Sequence, residues 1–377
     1  MMLQLAWQNV THQKWRAAAS LGGVAFSILL MFMQLGIFSA AENSADLVYR
    51  ALDFDLMLTS PQYVFMVNAG TLSRDVAVRA RDIPGIESAK PMFASFTLIR
   101  SVSDQLRRGI LLLGIDPNQP PMKDPAIASQ THLLHEPDTT LMDREARGEF
   151  GPRETGTTVD LGSGQVRIVG NYRLGTGFIA GADAIVSDHT YCRLLPGRSV
   201  DRPNLIFVKA KEGQSIERLA HRIRISEGPD VRVWTRAEIT SAERHYFVNI
   251  KPIGIMFRSG VIVGFIVGAV TLYQILSTQV SSHLKELATM KAMGYSDASV
   301  YGLVILEGFI YAGIGFIPAY IGGEILYKIL REAAKVPVTM TPDRAVIVFI
   351  LTLVMCAISS ILAARRVRSA DPAELFA

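Results

Sequence analysis

Four stretches of this 377-residue chain, 17–38, 253–279, 302–326 and 345–364, are apolar for the roughly 20 residues that a hydrocarbon core demands. At that depth the backbone finds no water partner, so each stretch is predicted to cross the membrane as a helix. Their spacing is lopsided. Residues 39–252, between the first and second stretches, carry 26 Lys+Arg against 26 Asp+Glu and read as an uncharged folded domain. The whole-chain excess of +4 therefore sits beside the membrane, where it reports orientation and not an affinity for nucleic acid.

Lys14 and Arg16 precede the first span, Lys285 and Lys291 follow the second, and Arg365, Arg366 and Arg368 follow the fourth. Alternating spans put all seven on one side, against Lys328, Arg331, Lys335 and Arg344 on the other. The positive-inside rule makes the first side cytoplasmic, with both termini there. Long translocated domains are exempt from that count, so residues 39–252 are expected outside. The first span is too long for the apolar core of a signal peptide and is expected to remain as an anchor. Cys192 and Cys356, one in the outer domain and one in a span, are not expected to pair.

Helical spacing at Leu47, Val48, Ala51 and Leu52 extends the first span outward as a stalk. Beyond it, 53–59 alternates like a strand, 72–81 like a helix, and 93–100 like a strand again. Residues 109–115 suggest an additional strand. A second unit of this kind follows at 205–210, 216–225 and 231–234. The expected fold class is thus four transmembrane helices plus a large extracytoplasmic α+β domain. That domain is a split βαβ subdomain with a mainly β insert at about 116–201.

The remaining boundaries follow: a cytoplasmic segment 1–16, an outer domain with stalk 39–252, a cytoplasmic helix 280–297, an outer connection 327–344 and a tail 365–377. Gly260, Gly264 and Gly268 on span two, and Ala19, Gly23 and Ser27 on span one, form small-xxx-small series. They suit close packing either within the chain or across a homodimer. Pro318 is expected to bend span three.

Chemistry is sparse. No GxxxxGK[ST] loop, HExxH, GxSxG or CxxC occurs, so the chain is expected to be a non-catalytic subunit with no cofactor of its own. His132, His135 and Glu136 read as a solvated loop, and so do His189 and Cys192. Glu307 is the one acid well inside a span, which makes it a candidate functional residue, although a position near the interface or a partner helix would also accommodate it.

Between spans two and three, Leu284, Leu287, Ala288 and Lys291 fall at i, i+3, i+4 and i+7. They offer one mostly apolar face, stopped by Gly294 and followed by the cap Ser296. Such a short helix pinned between spans is built to be pressed on by a second protein.

The run Lys285-Glu286-Leu287-Ala288-Thr289-Met290-Lys291-Ala292-Met293-Gly294, the tail Ala364-Arg365-Arg366 to Asp371-Pro372-Ala373-Glu374-Leu375, and the order of one span, outer domain and three spans resemble the FtsX/MacB superfamily of ABC-transporter permeases. Leu5-Ala6-Trp7 and the run 30–36 look most like its DevC branch, which lacks a fused ATPase.

The resemblance implies a homodimer in a bacterial inner membrane, with porter-like and Sabre-like periplasmic subdomains. Two copies of a separate cytoplasmic ABC ATPase, which bring ATP and Mg, would press on Leu284, Lys285, Glu286, Leu287, Ala288, Lys291 and Gly294. It further implies mechanotransmission: motion passed to the outer domain drives cargo through a periplasmic membrane-fusion adaptor and a TolC-type outer-membrane channel. Lipoprotein release and transmembrane signalling to an envelope partner are the alternatives. Membrane lipid is an expected partner and nucleic acid is not.

Overall fold

The computed structural model describes residues 14–100, 105–151, 153–175, 177, 180–283, 289, 293, 296–333 and 335–368. In chain order the elements used below are α1 (Lys14–Ala45), α2 (Leu47–Arg50), β1 (Leu56–Thr59), α3 (Asp75–Asp82), β2 (Ile86–Arg100) and β3 (Arg107–Ile115). Then come β4 (Thr139–Asp143), β5 (Thr158–Leu161), β6 (Gly164–Tyr172), β7 (Asp183–Ser187), α4 (Asp188–Leu194), β8 (Leu205–Ala210) and α5 (Ile216–Glu227). Last are β9 (Arg232–Thr235), α6 (Arg236–His245), α7 (Pro252–Ser282), α8 (Asp297–Ala333) and α9 (Pro342–Arg368). The chain divides into a helical unit (Met1–Ser39, Ile255–Leu330, Val338–Ala377) and a mixed unit (Ala40–Gly254, Arg331–Pro337).

In the helical unit, Leu21–Ala45, Gly254–Ser282, Tyr301–Ala333 and Pro342–Arg365 are long and apolar enough to cross a membrane. Their shared core includes Val24, Ile28, Met31 and Phe32 of α1, Leu272 and Leu276 of α7, Leu303 and Ala312 of α8, and Val348 and Met355 of α9. Ile262, Val263, Ile266 and Val267 of α7 point outward, as lipid-facing side chains must. Helix α8 runs on through Pro318.

The mixed unit contains the split βαβ pattern. β9, β1, β8 and β2 lie side by side in that order, all antiparallel. Leu219, Ala220 and Ile223 of α5, with Val76, Ala77 and Ala80 of α3, pack on Leu56, Leu58, Ile206 and Val208. Ser215 caps α5 by accepting from the Arg218 amide, and Gly228 at φ +67° ends it in a conformation that side chains resist. β1 does not alternate. Met57 and Phe207 face a second cluster with Tyr49, Phe54 and Ile239, so the sheet is covered on both faces and every β1 residue is buried.

The remaining strands close on themselves. β3 pairs with β7 in parallel, β7 with β4 antiparallel and β4 with β6 in parallel. β6 pairs with β5, β5 with the end of β2, and β2 with β3, all antiparallel. All six strands send side chains into one cluster, among them Phe93, Ile110, Met142, Val159, Ile168 and Val186. The ring takes in 93–115 as well as the expected insert, because β3 finds both its partners, β2 and β7, within it.

Candidate functional site

Two arrangements stand out, one in each unit. In the helical unit, α1 and α7 meet along a seam of small residues. A methyl group built on Gly23 would stand 2.9 Å from Thr271 Cγ2, and one on Gly264 would stand 3.4 Å from Met31 Cγ. On Gly268 it would lie 2.9 Å from Ser27 Cβ and collide with Met355, and on Gly260 it would collide with Gln34. As α7 advances through 260, 264, 268 and 271, the partners on α1 retreat through 34, 31, 27 and 23, so the helices are antiparallel and in close contact. These glycines therefore face a helix of their own chain. Ser359 Oγ ties α9 to the same region by donating to the Ala269 carbonyl at 2.7 Å.

In the mixed unit, α2 and α6 are joined by a buried polar knot. The capping box of Thr235 and Glu238 starts α6. One turn beyond the buried Ile239, Glu243 is only 2% exposed. Its Oε1 accepts from the Tyr63 hydroxyl, from the Tyr49 hydroxyl at 3.2 Å and from the Met66 amide at 2.8 Å. The two tyrosine hydroxyls are 2.9 Å apart. Burial pushes the Glu243 carboxyl up to about 7, against the pull of the hydrogen bonds it accepts. Burial also raises both phenols, so they remain donors.

A model of the MacB-like periplasmic core domain matches residues 17–225, more than half of the chain, and a model of the FtsX-like permease C-terminal region matches residues 258–372. The chain belongs to the FtsX/MacB family of permeases. No curated protein matches its sequence.

Among the solved structures similar to this chain are three domains of such permeases and transporters. The periplasmic region of MacB from Actinobacillus actinomycetemcomitans is 12% identical with a TM-score of 0.37, covering 52% of this chain and 94% of that one. The extracellular domain of YknZ, a noncanonic ABC-type transporter from Gram-positive bacteria, is 12% identical with a TM-score of 0.34, covering 48% and 99%. A domain of a putative permease from Porphyromonas gingivalis is 15% identical with a TM-score of 0.33, covering 48% and 89%.

Permeases of this family are membrane subunits of ABC transporters and work with an ABC ATPase. The residues expected to meet that ATPase, Leu284, Lys285, Glu286, Leu287, Ala288, Lys291 and Gly294, lie outside the described residues. Within the stretch, the Met293 amide donates to the Thr289 carbonyl at 3.0 Å, a helical i to i+4 bond, and both side chains are exposed. Glu307 is 4% exposed, one turn from the buried Tyr311 on α8. It lies inside the helical unit and not at its surface. Ala19 lies in α1.

Among the described residues, no group of three or more His, Cys, Asp or Glu could hold a metal ion. His132 and His135 sit in the short turn Thr131–His135, and Glu136 is paired with Arg167 at 2.5 Å.

Sequence reasoning missed the polar knot and a second buried acid cluster in the ring. There the parallel pairing of β4 with β6 sets Asp143 opposite Tyr172, and the antiparallel register of β4 on β7, continued by one residue, sets it opposite Asp183. Asp143 accepts from the amides of Glu145 at 3.0 Å, Leu174 at 3.2 Å and Gly175 at 2.8 Å. Asp183 accepts from the Tyr172 hydroxyl. Burial and the neighbouring Asp143 raise the Asp183 carboxyl well above its ordinary range. A trace of the knot is visible in the sequence: Glu243 is four residues from Ile239, on the face that a core helix should keep apolar.

Proposed function

We propose that this chain is the permease of a MacB/DevC-type exporter, acting as a homodimer on two copies of a separate cytoplasmic ATPase. ATP-driven closure of the ATPase pair moves the 280–297 stretch. The spans pass that motion outward, and the outer domain drives cargo into an adaptor and a TolC-type channel. The observation that carries this reading is helix α1. It runs unbroken for 32 residues, Lys14–Ala45, past the apolar stretch 17–38, the form that a stalk passing displacement outward would take. The packed seam of α1 on α7 and the apolar core of the four spans support motion over passage through a pore.

Leu287→Glu tests the lever. The variant should fold and insert normally while the partner ATPase loses its permease-dependent stimulation. Unchanged stimulated turnover would show that force enters elsewhere. Co-purification from native membranes then separates the outputs: an adaptor and a duct mean export, and a cell-wall hydrolase or a histidine kinase means signalling.

A further inference from the structure

The four-stranded sheet ends at β9, and this edge carries a groove beside the Glu243 knot. Trp234 of β9 is half-buried, with its Nε1 donating to Thr59 Oγ1 at 2.9 Å and the Arg232 guanidinium 3.7 Å over its ring. Against it lies a cavity of about 650 Å³, within the size range of small-molecule sites, whose walls include Tyr63, Val64, Arg232, Trp234, Tyr246 and Ile250. Val64 and Ile250 on its walls are 46% and 60% exposed.

Chain connectivity keeps this wall close to the second span. Ile250 is four residues ahead of Gly254, where the second span begins, so it stays within about 14 Å of that residue even on a fully extended chain. The next residues carry the composition of a membrane interface. Phe65 stacks on Tyr246 with centroids 4.7 Å apart, and Lys251 Nζ lies 5.4 Å from both rings. Arg232 lines the groove and Lys251 follows its wall residue Ile250, two cations against one lining carboxylate, Glu238, which accepts from the Thr235 amide at 2.7 Å in the capping box. A peptide adding to the sheet is disfavoured, since the Val233 carbonyl of β9 already accepts from Arg224 at 3.1 Å.

We propose that this groove binds an anionic phospholipid of the leaflet next to the outer domain, its acyl chain against Trp234, Val64 and Ile250 and its headgroup towards Arg232. Tyr63 presents its ring to that chain and its hydroxyl to Glu243, so an occupied groove bears directly on the knot joining α2 and α6. The site is independent of the export reading, because a lipid seated there is compatible with any output of the permease.

The test uses the full chain with Trp7→Phe and Trp15→Phe, which leaves Trp234 as its only tryptophan. It is reconstituted into vesicles of phosphatidylglycerol or phosphatidylcholine with brominated or plain acyl chains. Brominated phosphatidylglycerol should quench Trp234 emission more than brominated phosphatidylcholine does. Arg232→Ala should abolish that difference, and Ile250→Asp or Val64→Asp, at exposed positions that folding tolerates, should restore emission. Emission unquenched by either lipid would overturn the site. Quenching that survives both aspartate variants would mean mere proximity to the bilayer and overturn the groove, and equal quenching by the two lipids would overturn the headgroup assignment.

Discussion

The two halves of the mixed unit each bury a tyrosine hydrogen-bonded to a carboxyl, and they do so by opposite means. Under the four-stranded sheet, one acid gathers three donors on a single oxygen, and Glu243 has no charged rival in the knot. In the ring, two acids face each other across adjacent strands, a placement that repels when both are ionised. The ring treats them unequally: Asp143 accepts from three amides, while burial and the neighbouring Asp143 raise the Asp183 carboxyl well above its ordinary range. The first cluster is governed by desolvation, the second by desolvation and a neighbouring charge together.

Asp143→Ala should break the comparison most severely. It strips the acceptor from three amides in two segments and should cost on the order of 3 kcal/mol or more in unfolding free energy, read by thermal or denaturant melts.

Glu243→Gln should have the next largest effect, and its sign depends on pH. Folding raises this carboxyl from its ordinary 4.5 to about 7, so the native state binds more protons than the unfolded state between those values. Stability contributed by the group is full below about 4.5 and falls as pH rises towards 7, a loss on the order of 3 kcal/mol. Glutamine keeps the acceptor and cannot ionise, so the variant should be the more stable protein at pH 8 and should lose the slope between pH 4.5 and 7. A melting profile with the wild-type slope would mean that Glu243 is not the titrating group.

Tyr49→Phe should be mildest, about 1 kcal/mol, because Tyr63 and the Met66 amide still satisfy Glu243.

The knot left only the trace of Glu243 on an apolar helix face, and the ring's acid pair left none, because it depends on register. That Asp143 stands opposite Asp183 depends on how β4 slides against β7, which short-range patterns do not encode. The four spans and the two βαβ units were legible because apolar length and periodicity are local properties. Ring closure was not, since the pairing of β3 with β7 joins residues some seventy apart in the chain. The small residues on spans one and two showed that something packs closely there, but their spacing alone does not say whether the partner is the same chain or another copy. In the structure it is the same chain.

The longest strand has a practical consequence for anyone who would exchange parts between permeases. β2 pairs with β8 from Ile86 to Met92 and with β3 from Met92 to Arg100, so one uninterrupted backbone is framework for the sheet and for the ring. A graft cut at residues 116 and 201 would carry away four staves of a six-stave cask and leave two behind. The transplantable piece starts inside β2, near Met92, and a recipient accepts it only if its own strand is in step at that residue.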